Sequence, residues 1–89
     1  MPVISVFSGI VIRMYFFDTQ QHARAHVHAQ YGELSAVFAI DDGSVLTGNI
    51  PPRQTRLIQA WIELRREDLT ANWKLATAGA ALSPIEPLR

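Results

Sequence analysis

The chain has 89 residues, enough for one domain and too few for two. Hydrophobic residues make up 48% and charged residues 18%, which excludes a disordered chain. Eight basic residues balance eight acidic ones, against a general nucleic-acid binder, and the lack of cysteine excludes disulfides and thiolate sites.

The first half reads as β-structure. Residues 3–7 and 10–16 are β-branched and aromatic runs, and Ser8-Gly9 between them suits a two-residue turn. That turn pairs Phe7 with Ile10, Val6 with Val11 and Ser5 with Ile12. Both faces of this hairpin are largely apolar, which predicts a central place in the sheet or cover on both sides. Residues 17–24 are polar and unpatterned and read as a loop.

Residues 25–31 alternate strictly. Ala25, Val27, Ala29 and Tyr31 fall on one face, His26, His28 and Gln30 on the other. A turn at Gly32-Glu33 sets Val27 opposite Phe38, Ala29 opposite Ala36 and Tyr31 opposite Leu34. On the reverse face His28 then meets Val37 and His26 meets Ala39. Asp41-Asp42-Gly43 signals a turn before a short strand at 44–47 and a loop, Gly48-Asn49-Ile50.

The second half reads as helix. Pro51-Pro52 ends the sheet and can open a helix. Leu57, Ile58, Trp61, Ile62 and Leu64 recur at helical spacing and should face the sheet. The stripe breaks at Arg65-Arg66-Glu67-Asp68, a solvated face or a set of intrahelical pairs. It resumes with Leu69, Trp73 and Ala76, and Gly79 suits a C-terminal cap. Two helices with a sharp kink are favoured over one long bent helix. Prolines at 84 and 87 extend the tail.

These elements predict one α+β domain over 1–89: an antiparallel sheet of about five strands built from hairpins, packed against two C-terminal helices. The sheet half is 1–50, the helical half 51–79 and the extended tail 80–89. So small a core invites a homo-oligomer or a docked tail. The start lacks the cationic region of a signal peptide, and the most apolar run, 9–17, is too short for a membrane span and contains Arg13. No membrane association and a cytoplasmic location are expected.

All three histidines lie within residues 22–28. On a strand, His26 and His28 project from one face about 6.6 Å apart along the backbone. With His22 from the preceding loop they make three nitrogen ligands, which suit a divalent metal, zinc or manganese, with one position open. Asp18 would add an oxygen or orient a histidine. No other cofactor is implied. Without metal, His26 and His28 serve as general acid and base, as in phosphodiester cleavage, with Arg13 stabilising developing charge if the second and third strands pair. The plain alternatives are a partly exposed histidine face, a solvated Arg13 and a core Tyr15. Arg53 and Arg56, in the first turns of the helix, are an anion-binding candidate, although such arginines are more often solubilising surface. Trp61 and Trp73 read as core, and Asp41-Asp42 as an acidic turn. Phosphate-binding glycine loops, HExxH and nucleophile elbows are missing.

In residues 7–15, the histidine segment 22–28, Gly48-Asn49-Ile50-Pro51, Asn72-Trp73 and Ile85-Glu86-Pro87-Leu88, the chain resembles the bacterial domain-of-unknown-function family 4160. The histidine segment of that family typically reads His-x-Pro-Pro-His-Phe-His, which falls on His22, His26 and His28. Here Arg24 and Ala25 stand for the prolines and Val27 for the phenylalanine. The resemblance carries over no activity. It implies a bacterial protein with a small protein partner encoded nearby, in toxin–antitoxin-like or mobile-element arrangements. Two functions follow: an interaction module of such a pair, or a small ribonuclease-like hydrolase using the histidines. Sequence-specific nucleic-acid binding is a third, weaker reading.

Overall fold

The computed structural model describes residues 3–14 and 24–88. Tyr15, Asp18, His22 and the expected loop lie outside the described residues. Five strands, β1 (Val3–Phe7), β2 (Ile10–Arg13), β3 (His26–Tyr31), β4 (Leu34–Ala39) and β5 (Val45–Gly48), form an antiparallel sheet in chain order. Two helices follow, α1 (Pro52–Leu64) and α2 (Arg66–Thr77), which completes the expected α+β architecture.

Both hairpin registers follow from alternation and turn length. Phe7 pairs with Ile10, Val6 with Val11 and Ser5 with Ile12. Val27 pairs with Phe38, Ala29 with Ala36 and Tyr31 with Leu34, so His28 meets Val37 and His26 meets Ala39. The first hairpin, however, is not central. β1 is an edge strand, and Val6 is 56% exposed. Its apolar residues therefore do not report cover on both faces. β5 also starts one residue later than expected and includes Gly48. A Cβ on Gly48 would stand 2.3 Å from the Ser35 carbonyl oxygen and 2.7 Å from the Ala36 Cα, at φ +85°. Only glycine permits that approach.

The inner face of the sheet carries Phe7, Ile10, Ile12, Val27 and Phe38, which join Ile58, Trp61, Ile62 and Leu69 in one core. The Trp61 ring lies 5.4 Å from that of Phe7. Leu64, expected on the same stripe, is exposed instead. It is the last residue of α1, and at Arg65 the backbone leaves helical geometry (φ −112°, ψ 19°). This kink separates the two helices without a proline or glycine. Arg66 holds it from both sides, donating to Glu63 (2.7 Å) and to the Ile40 carbonyl (3.1 Å). Gly79, one residue beyond the C-cap Ala78, closes α2 at φ +73°. Its N–H reaches Ala76 and the Ala80 N–H reaches Leu75, the two bonds of a Schellman motif.

The tail is docked. A β-bulge between Val3 and Ser5 takes Ile4 out of the β1–β2 register, and the Ile4 carbonyl accepts the Ile85 N–H at 2.7 Å. Asn72, 2% exposed, grips Ser83 both ways, donating to its carbonyl (2.7 Å) and accepting its N–H (3.1 Å). The Trp61 indole donates to the Glu86 carbonyl at 2.7 Å, and Ile85 is buried in the core. The tail thus seals the inner layer along β1. No helix among the described residues is long and apolar enough to cross a membrane.

Candidate functional site

The outer face of the sheet, turned away from Ile58, Trp61 and Ile62 of α1, gathers the chemistry-bearing side chains. Antiparallel pairing aligns Val3, Arg13, His28, Val37 and Thr47 in one row across the five strands. The neighbouring row holds Val6, Val11, Gln30 and Ser35. Directly opposed side chains in such rows have Cβ atoms about 4.5–5.5 Å apart. The expected meeting of Arg13 with His28 therefore occurs.

His26 does not sit on a partly exposed face. It is fully buried, and Trp73, itself packed against the core, lays its ring 4.9 Å away at 57°. Trp73 is thus core, as expected, and also lies against His26. The His28 ring lies edge-on to His26, centroids 5.3 Å apart. His26 Nδ1 is 2.9 Å from the Arg24 carbonyl oxygen. A carbonyl only accepts, so Nδ1 carries the proton. In the neutral ring Nε2 then holds the lone pair, the nitrogen that binds metal or takes a proton. The Nε2 atoms of both histidines are shielded from solvent.

Arg13 is half-buried and donates from Nη1 to Gln30 Oε1 at 2.9 Å. Gln30 Nε2 in turn donates to the Gly32 carbonyl at 3.3 Å. The amide thereby fixes the direction of the guanidinium. Gln30 has this role only because the strands pair; the alternation of 25–31 placed it on the histidine face without naming its partner.

Where the resemblance expects proline, Arg24 holds the entry to β3 electrostatically. Its guanidinium reaches Asp41 at 2.6 Å and Asp42 at 3.1 Å. Asp42 Oδ1 also accepts the Ser44 N–H at 2.9 Å. The Ser44 backbone bond, helped by the Ser44 hydroxyl and by Arg24, lowers the Asp42 carboxyl to about 2. The acidic turn is therefore a structural anchor next to the histidine strand.

Arg53 and Arg56 are exposed on α1, away from the histidine strand in sequence and on a different element. Pro51 and Pro52 have no N–H, and Thr55 N–H is bonded to the Pro51 carbonyl, so this helix start offers few free amides. A depression of about 370 Å³ lies over the α1–α2 junction, lined by residues 63–68. Another of about 270 Å³ lies beside the tail. Neither is lined by Arg13, His26 or His28. Among the described residues no three His, Cys, Asp or Glu side chains cluster as metal ligands. Of the expected metal set, His26 and His28 are together and His22 lies outside the described residues.

The model of the domain of unknown function DUF4160 matches residues 9–74, most of the chain, so the chain belongs to that family. No curated protein and no solved structure matches it.

Proposed function

We propose that this member of the DUF4160 family is a protein-interaction module of the cytoplasm, one half of a toxin–antitoxin-like pair, and that it binds its partner with the outer face of the sheet. The observation that carries this reading is the open half of that face. Val3 is 45% and Val6 56% exposed, and Val11 is half-buried beside Arg13. Val37 and Ala39 on the same face are buried but stand outside the continuous core. Arginine is enriched at interface centres, and exposed apolar side chains around it supply the area that a partner buries. The partner is a small protein encoded beside this chain. Co-expression of the two and sizing by light scattering tests the reading. A complex that forms with the native chain and is lost with Val6→Glu is expected. Failure to associate, or a complex indifferent to Val6→Glu, refutes the outer face.

A second reading is favoured by the His26 tautomer. Two imidazoles with centroids 5.3 Å apart on one strand, His26 oriented by its Nδ1–H donating to the Arg24 carbonyl, are a pairing suited to proton transfer or to a divalent ion. In that reading His26 and His28, with His22, hold zinc or manganese, or act as base and acid on a phosphodiester placed by Arg13. Purified protein that leaves RNA intact with zinc, manganese and magnesium, and releases no metal that His28→Ala lacks, excludes it.

A further inference from the structure

Among the described residues, Arg13 and Arg65 are half-buried and held by neutral groups alone, Arg13 by the Gln30 amide and Arg65 by the Glu86 carbonyl, and of the two Arg13 lies on a strand of the sheet. Arg24 is neutralised by Asp41 and Asp42, and Arg66 by Glu63. Arg13 has no carboxylate partner among the described residues; its bond goes to the neutral amide of Gln30. A guanidinium has five N–H donors in a rigid fork. Among the described residues the Arg13 fork is held by one amide oxygen, which leaves most of its donors for another group. The groups around it are His28 opposite on β3, Val3 opposite on β1 and Val11 two residues back on β2, with Val6 next to Val11. A half-buried arginine, oriented by an amide and without a carboxylate among the described residues, is in such a ring a receptor for a planar anion.

We propose that Arg13 receives a carboxylate from an acidic side chain of the partner protein, with His28 lining the slot and Val3, Val6 and Val11 packing against apolar residues that flank that carboxylate. This rests on the outer face being the binding face and adds the chemistry of what it binds. A protein carboxylate fits better than a nucleic-acid phosphate for two reasons. Phosphate backbones are tracked by several cations at once, whereas this face offers one arginine in a chain of zero formal charge. The valine rim, moreover, matches apolar protein side chains and gives a phosphate backbone no partner.

The test titrates the isotope-labelled full chain with sodium acetate at constant ionic strength, followed by NMR. The Arg13 Nε–Hε signal and the His28 ring signals should shift saturably, while the exposed Arg53 and Arg56 drift linearly as internal controls. Arg13→Gln should abolish the saturable response and leave the melting midpoint in place. Asp18→Asn, which removes the chain's own nearest carboxylate in sequence, should leave acetate binding unchanged. An Arg13 signal that moves no more than that of Arg53 overturns the proposal. So does acetate binding that appears only in Asp18→Asn, which would make the chain its own occupant. Inorganic phosphate binding more than about tenfold tighter than acetate would assign the slot to a phosphoryl ligand and overturn the carboxylate. The titration needs no partner protein, so its failure is distinct from a failure of the Val6→Glu experiment.

Discussion

The two faces of the sheet are made by alternate residues of the same strands and are finished in opposite ways. On the inner face Ile10, Ile12 and Phe38 meet Ile58, Trp61 and Leu69, and the tail brings Ile85 to close the layer. On the outer face Val6 and Val3 stay open, Arg13 is held by an amide, and closure is seen at the His26 end, where Trp73 arrives. Both faces carry apolar residues, so hydrophobicity alone does not separate them. The difference lies in what each side chain meets. Inner residues are accounted for by folding. For a chain short of core, the exposed outer valines are the residues to which the proposed function assigns association.

The contrast breaks first at the inner face. Trp61→Ala should cost about 3–5 kcal/mol, since the ring is fully buried and its indole also holds the tail; urea unfolding reads this loss. Gly48→Ala comes next, at about 1–3 kcal/mol, because a Cβ there meets the backbone of Ser35 and Ala36. Asn72→Ala should cost about 1–3 kcal/mol by stranding the N–H and carbonyl of Ser83. Hydrogen exchange should then speed up at Ser83 and Ile85 ahead of the strands. A tail equally protected in Asn72→Ala would sever this link between α2 and the strap. At the outer face Val6→Thr should change stability by less than about 0.5 kcal/mol, although the residue is as apolar as those inside.

Acid gives a smaller effect with a definite sign. The folded Asp42 carboxyl, at about 2, lies below its usual value near 4. Its contribution is therefore complete above about pH 4 and is lost as pH falls toward 2. Asp42→Asn should flatten the acid limb of a melting-temperature profile over that window. A profile identical to that of the native chain would mean that the Ser44 and Arg24 contacts do not hold the turn.

Much of this contrast is legible in the sequence, for a physical reason. A strand has a period of two and a two-residue turn allows one register, so the pairings of Phe7 with Ile10 and of Val27 with Phe38 follow from local pattern. The Arg13–His28 row follows once β2 and β3 pair. Alternation tells which side of a strand a residue is on, not what arrives to cover that side. Val6 reads as buried and is open; His26 reads as half-open and is buried, with a tryptophan from α2 against its ring. Leu64 fits the helical stripe but falls where the helix ends. The docking of the tail depends on a bulge at Ile4 and on Asn72, neither of which leaves a periodic signal. His22 lies outside the described residues, so of the three-histidine set two neighbours on a strand are on view.

The most direct test of an outer face kept for association is to run Val6→Glu and Trp61→Ala side by side, measuring melting temperature and affinity for the co-expressed partner. Val6→Glu should keep the melting temperature within a few degrees while weakening the complex by at least about a hundredfold, some 2.7 kcal/mol. Trp61→Ala should lose stability. If Val6→Glu unfolds the chain, or leaves the complex intact, the outer valines belong to the fold and the face is not the binding surface.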